Sequence, residues 1–274
     1  MTAQAQPTTS YFVNHAISTW NLIRSERPLI HCITNTVVQN FTANVLLATR
    51  SSPAMIDIPW EAGEFARYAS ASLINLGTLA PAQQISVHEA AASAQAHGRP
   101  WVLDPVGIGV LPVRTRIAHE LLTYHPTCVR GNASEIIALA GGDSSGAGVD
   151  SRESVIAAQA YAEDLAAHHN TVVAVSGPCD VITDGDRTIF CSNGHEWQSI
   201  VTGSGCALGA FIAAFLAVEE TSNLAAVVAA HICYGVAAER AAACSSGPGS
   251  FVPAFIDTLY SLDDDAIAAY AKVQ

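Results

Sequence analysis

The sequence predicts an α/β fold, a three-layer arrangement in which a mainly parallel central sheet carries helices on both faces and ends in an antiparallel hairpin. Three observations predict it. Short apolar runs alternate with segments of helical apolar spacing from residue 28 to residue 176, the pattern of parallel strands joined by crossover helices. Polar residues collect directly after those runs, where an open α/β sheet places its binding edge. Asp184-Gly185 then stands between the β-branched runs 180–183 and 188–191, which signals a hairpin.

Each element follows from local pattern. Residues 11–26 have helical spacing, with Phe12, Ile17, Trp20 and Ile23 as the expected buried face. A first strand over 28–33 leads through an asparagine-rich stretch into a helix ending at Leu47. Strands over 52–57 and 73–77 flank a helix over 61–71, and an alanine-rich helix over 81–97 stops at Gly98. The run 101–107 reads as a fully buried strand whose charge, Asp104, arrives only at its end. A helix over 115–124, a strand over 127–130 and a helix over 136–140 follow. The glycine- and serine-rich segment 141–150 is expected to be a mobile surface loop. Next come a helix over 151–168, a β-branched strand over 171–176 and the hairpin. A small-residue turn over 201–210 feeds a helix over 211–218, and helices over 224–243 and 250–261 precede a short terminal one. With no repeat or linker, residues 1–274 read as one domain, with 1–10 loose.

Composition narrows the function. Half of the 274 residues are hydrophobic, only 13% are charged, and the formal net charge is −12. Such an apolar chain is expected to bury surface in an oligomer or beneath helices on both sheet faces. An acidic chain without a basic run is not expected to bind nucleic acid. The seven cysteines are scattered, without zinc-ligand spacing, and read as reduced thiols. No signal sequence and no membrane span are expected, so the chain is expected to be cytoplasmic with no membrane partner.

The stretch Val201-Thr-Gly-Ser-Gly-Cys206 is where chemistry is expected. Gly203, Ser204 and Gly205 let backbone N–H groups approach a ligand at a helix start, where the unpaired donors and the macrodipole favour an anion. Cys206 stands at the mouth of that site, and a thiol at a helix N-terminus is expected to favour its thiolate. It suits either accepting a proton or simply shaping the site. Asp104, Arg130, Asn132, Glu135 and Ser176 all follow predicted strands and are expected to converge on the same edge. The spacing of Asn132 and Glu135 also suits a helix capping box, and Asn35 also suits a helix cap. An anion hole, an arginine and two carboxylates are the parts that hold a nucleotide's phosphates with Mg²⁺. The chain has no Gly-x-x-x-x-Gly-Lys loop and no dinucleotide fingerprint near its start.

Six blocks in order, residues 28–44, 75–78, 103–107, 130–135, 201–206 and 247–251, resemble the hydroxyethylthiazole kinase family of the ribokinase-like superfamily. The resemblance runs from about residue 11 to the C-terminus. It implies a ribokinase-like three-layer sandwich and ATP- and Mg²⁺-dependent phosphorylation of the primary hydroxyl of 4-methyl-5-(2-hydroxyethyl)thiazole for thiamine biosynthesis. It also implies a homotrimer with active sites at subunit interfaces. Carried over by position, it assigns Arg130, Ser176 and Asn132 to ATP, with Glu135 and Asp104 toward Mg²⁺. Met55, Gly203, Asn35 and Val37 go to the thiazole, and the turn Gly203 to Cys206 to the reaction itself. Two departures stand out: Ser176 replaces the usual threonine, and Ile56-Asp-Ile-Pro-Trp60 is not the usual loop. Two other readings stay open, a related kinase of another small alcohol such as a hydroxymethylpyrimidine or sugar, and a non-catalytic nucleotide-binding regulator. The intact Asp104, Arg130 and Glu135 speak against the regulator.

Overall fold

The computed structural model describes residues 8–142 and 152–274. The chain enters through α1 (Thr9–Glu26), which buries Phe12, Ala16, Thr19, Trp20 and Ile23. Ile17 is only half-buried, because the buried stripe passes through Ala16 and Thr19 instead. The helix begins two residues inside the stretch expected to be loose; residues 1–7 and 143–151 lie outside the described residues, and with the latter most of the loop expected over 141–150.

Strand β1 (Leu29–Ile33) is followed by α2 (Gln39–Ala48), β2 (Ser52–Ala54), α3 (Ala62–Tyr68), β3 (Ala71–Asn75) and α4 (Pro81–Ala96). Then come β4 (Trp101–Asp104), α5 (Pro112–Leu122), β5 (Cys128–Asn132), α6 (Ala133–Leu139), α7 (Arg152–His169) and β6 (Val172–Ser176). The hairpin is β7 (Asp180–Thr183) and β8 (Thr188–Cys191), and the chain closes with α8 (Trp197–Ile200), α9 (Ser204–Leu216), α10 (Asn223–Ala243), α11 (Pro248–Ser261) and α12 (Asp264–Tyr270).

The eight strands form one sheet in the order β2-β1-β3-β4-β5-β6-β7-β8. β1 to β6 run parallel, and β7 and β8 are antiparallel, as the Asp184-Gly185 turn predicts. The exposed edge of β8 is capped by the C-terminus, where Cys191 bridges Val273 and Phe190 exchanges backbone hydrogen bonds with Gln274. That pairing carries no local sequence signal.

Strand alternation divides the core into two clusters. Ile30, Cys32, Leu73, Val102, Cys128, Val172 and Ala174 pack with α1, α2, α9, α10 and α11 on one face. Ile33, Ile74, Leu103, Val129, Val173 and Val175 pack with α4 to α7 on the other. Asn75, Asp104, Arg130 and Ser176 continue the first set in steps of two, so the alternation turns all four toward the α9 layer. α10 is apolar and long enough to cross a membrane, but 89% of its apolar window is buried in the fold, as expected of a core helix.

Several boundaries differ from those expected: β3 is Ala71–Asn75 rather than 73–77, β4 ends at Asp104 rather than residue 107, and two further differences bear on the site. β2 ends at Ala54 rather than residue 57, because the Ile56 carbonyl leaves the sheet to bond the His31 ring at 2.6 Å. α9 begins at Ser204, so the small residues form its first turn rather than a loop ahead of it. The short α8 was not expected, having no apolar period of its own and no buried residue.

Candidate active site

The sheet register assembles the site. Asn75 pairs with Asp104 across β3 and β4, and Asn132 pairs with Ser176 across β5 and β6. From that edge a continuous polar line runs across the molecule. Asn35 Nδ2 lies 3.3 Å from Cys206 Sγ and 3.2 Å from Asn75 Oδ1. Asn75 Nδ2 donates to Asp104 Oδ2 at 2.6 Å, and its Oδ1 accepts the Gly77 N–H at 2.9 Å. Asp104 Oδ2 faces Arg130 Nη1 at 3.6 Å, and Arg130 Nη2 donates to Ser176 Oγ at 2.5 Å. Asn35, Asn75, Asp104 and Arg130 are all buried. So many polar groups inside a core persist only when they are bonded to one another.

Helix α9 covers this line. Gly203 caps it with φ 89°, a left-handed conformation that a side chain adopts only with strain. A Cβ placed there would also lie 2.7 Å from Val38 Cγ1. Gly205 comes so close to the guanidinium that an added Cβ would lie 3.0 Å from Arg130 Nη1. Among the described residues no acceptor reaches the N–H groups of Gly205 and Cys206. Two free donors, a helix end and a buried arginine therefore converge, an arrangement suited to phosphate oxygens.

Electrostatics sharpen the picture. Burial pushes the Asp104 carboxyl up to about 6, against the pull of Arg130, and Glu135 adds to the rise. Burial works against the charge on Arg130, but the surrounding acidic groups, Asp104 first and then Glu135, Cys206 and Asp180, together more than offset it and hold its pKa above the usual value. The Cys206 thiol is pushed from 9.0 up to about 11, by burial first and then by Asp104. That overturns the thiolate expected from its place at a helix start. A helix end supplies roughly 1 kcal/mol toward a negative charge, and burial together with Asp104 outweighs it. Cys206 is a neutral thiol at pH 7.

Glu135 and Asn132 form the capping box of α6. Asn132 Oδ1 accepts the Glu135 N–H at 2.9 Å, and Glu135 Oε2 accepts the Asn132 N–H at 2.9 Å. The other carboxylate oxygen, Oε1, accepts the Gly107 N–H at 3.0 Å, so Glu135 also ties down the loop after Asp104. The cap and the site are one structure. Asp104 Oδ1 is buried without a hydrogen-bond partner among the described residues, beside a second carboxylate close enough to raise its pKa. A donor set of that kind fits Mg²⁺, which takes one or two carboxylates and fills its shell with water and phosphate. Among the described residues no group of three or more His, Cys, Asp or Glu side chains could hold a metal by themselves.

On the acceptor side, Met55 is half-buried against the α9 face of the core and Asn35 contacts Cys206 directly. Val37 is exposed, and its neighbour Val38 is the residue that packs on Gly203. The atypical loop is well anchored: Asp57 Oδ2 accepts from Gln83 Nε2 at 2.9 Å, and the Asp57 carbonyl accepts from Ser86 Oγ at 2.9 Å. Sequence reasoning gave no role to Asn75. Its signal was a lone amide ending the apolar run Leu73-Ile-Asn75, beside a strand that ends in Asp104. Thr78 is a β-branched residue at φ 42°, an uncommon strain, and its hydroxyl accepts the Thr36 N–H at 3.1 Å next to Asn35.

A helix start with free N–H groups over a buried arginine and carboxylates, at the carboxyl edge of a largely parallel sheet, suits a small-molecule kinase. A ribokinase-like superfamily protein from Enterococcus faecalis V583 shares the fold, with a TM-score of 0.63 at 12% identity over 88% of this chain and 89% of that one. The sequence model described as the Hydroxyethylthiazole kinase family matches residues 20–265, and the chain belongs to that family. It is 52% identical over 246 residues to the hydroxyethylthiazole kinase of Clavibacter sepedonicus, covering 90% of this chain and 89% of that one. The solved structure of the hydroxyethylthiazole kinase protein from Pyrococcus horikoshii OT3 has a TM-score of 0.87 at 39% identity, over 95% of this chain and 98% of that one.

Proposed function

We propose that this chain transfers the γ-phosphoryl group of ATP to the primary hydroxyl of 4-methyl-5-(2-hydroxyethyl)thiazole, giving the thiazole phosphate used in thiamine biosynthesis. The observation that carries the reading is the start of α9, where the free N–H groups of Gly205 and Cys206 meet Arg130 in a member of the hydroxyethylthiazole kinase family. Ser204, Gly205 and Cys206 form the anion site in which charge on the transferring group is stabilised by fixed dipoles rather than mobile water. Arg130, steadied by Ser176, binds nucleotide phosphate, with Asn132 at the same strand end. Asn35, Met55, Val37 and Gly203 frame the thiazole.

Asp104 and Glu135 are the residues that would hold Mg²⁺, which would neutralise phosphate charge. A loose phosphoryl-transfer transition state needs little help from a base. Cys206, a neutral thiol held by Asn35 Nδ2, therefore shapes the place of the attacking hydroxyl and leaves proton removal to later steps. The exposed apolar Val37, Leu47, Ile58, Trp60 and Tyr68 support subunit contacts in this part of the chain, which we read as the interface of a homotrimer, and the enzyme itself is read as cytoplasmic. An acceptor panel tests the reading. ADP release with Mg²⁺-ATP should be selective for the thiazole over hydroxymethylpyrimidine, ribose and a no-acceptor control. Preference for another alcohol would reassign the substrate, and no turnover with any acceptor would favour a nucleotide-binding regulator.

A further inference from the structure

α10 is buried along most of its length and is built chiefly from alanine and valine. Within its buried stretch from Leu224 to Ala238 two hydrogen-bonding side chains stand among the apolar ones, His231 and Tyr234, and a spacing of three puts them on one helix face. Tyr234 Oη donates to the Ser204 carbonyl at 2.9 Å. Its ring is fixed edge-on between Phe211, with centroids 5.1 Å apart, and Phe255, at 4.9 Å. Ser204 opens α9, so this bond braces the turn that carries Gly205 and Cys206. His231 Nδ1 donates to Asp180 Oδ2 at 2.7 Å, and Asp180 Oδ1 accepts the Gly177 N–H at 2.9 Å. Gly177 directly follows Ser176, the partner of Arg130.

Both polar groups are costly where they stand. Leu or Phe would fill the same volume without a polar atom to satisfy, and His231 Nε2 is buried with no partner among the described residues. What the two bonds have in common is their destinations, the two halves of one site. We infer that Tyr234 and His231 are positioning residues, Tyr234 for the anion-binding turn and His231, through Asp180, for the nucleotide loop after Ser176. α10 thereby fixes the distance between the acceptor and nucleotide sides. The inference rests on the kinase reading for the identity of those sides.

The test uses the full chain with Tyr234→Phe, His231→Leu and His231→Asn, the last of which keeps a donor where Nδ1 stands. kcat, the KM for ATP, the Kd of a non-hydrolysable ATP analogue and Tm are measured for each. Tyr234→Phe should lower kcat about threefold to tenfold, the worth of one hydrogen bond, and leave the analogue Kd within about twofold. His231→Leu should raise the KM for ATP and the analogue Kd by a similar factor with kcat nearly unchanged, and His231→Asn should restore both. Effects on kcat and Kd that move together and track Tm would overturn the inference, as would unchanged constants. A wild-type protein that binds the analogue but leaves the thiazole untouched would sink the substrate reading alone, because the analogue titration still judges His231. Absence of analogue binding by the wild type would overturn both.

Discussion

Asn75 Nδ2 donates to Asp104 Oδ2 at 2.6 Å, and the two residues are paired neighbours at the ends of β3 and β4. The sheet register itself therefore delivers a donor to the one fully buried carboxylate of the site. Asn75 also reaches Asn35 and the Gly77 backbone, so it joins the acceptor side to the charged side.

Asn75→Ala removes three hydrogen bonds at once. It should cost about 2 kcal/mol of stability and at least about tenfold in turnover, because Asp104 would keep only Arg130. Asn75→Asp should be worse than alanine, since it sets a second carboxylate beside a buried one. Urea unfolding and steady-state kinetics check both. Alanine with wild-type midpoint and turnover would show that the Asn75–Asp104 bond contributes nothing.

His31 sets a pH limit on stability. Burial lowers its pKa from 6.5, against the pull of the Ile56 carbonyl and Asp57, so the folded chain holds the ring neutral. A depressed histidine contributes stability that is complete above the unfolded value and is lost as pH falls toward the folded one. Between pH 7.5 and pH 5 the protein should lose stability from this source. His31→Gln keeps an N–H for the Ile56 carbonyl and should flatten the slope. Parallel pH slopes of unfolding for the two proteins would rule His31 out.

Cys206 offers a sharp contrast between two roles. With its thiol near 11, turnover between pH 7 and pH 9 should show no limb belonging to Cys206. Cys206→Ser should keep the shape of that profile, and Cys206→Ala should lower kcat about threefold to tenfold with ATP binding nearly intact. A rising limb in the wild type that vanishes in the serine variant would restore the thiolate base.

Glu135 is bonded through both oxygens to backbone N–H groups, of Gly107 and of Asn132. Glu135→Gln turns one of those oxygens into a donor facing a donor, so it should cost about 1–2 kcal/mol of stability. It should also raise the Mg²⁺ concentration needed for half-maximal activity and weaken direct Mg²⁺ binding seen by calorimetry. Normal Mg²⁺ binding with only the stability loss would leave Glu135 as a cap alone.

Much of this was legible in the chain itself. The alternation of strand and helix patterns fixed the architecture, and Asp184-Gly185 announced the hairpin, because each signal is local. Asp104, Arg130, Asn132, Glu135, Ser176 and Cys206 stood out as polar groups after strand runs; the register brings Asp104, Arg130, Asn132 and Ser176 to one edge, and Glu135 of α6 and Cys206 of α9 bond to Asn132 and Asn35 there. Asn75 escaped assignment because its importance lies in a neighbour 29 residues away. The raised thiol of Cys206 escaped for the same reason: burial and the nearness of Asp104 are tertiary facts, while the helix start that argues for a thiolate is local. His231 and Tyr234 drew no assignment from the sequence, because the partners they bond lie 51 and 30 residues away.

The most direct measurement is the identity of the phosphorylated product. Purified protein is incubated with Mg²⁺-ATP and the thiazole alcohol, and the mixture is followed by phosphorus NMR with ADP quantified in parallel. A thiazole phosphomonoester should form in step with ADP, and Arg130→Ala should abolish both. ADP formed without the phosphomonoester, or neither compound formed, would contradict the assignment of this site to thiazole phosphorylation.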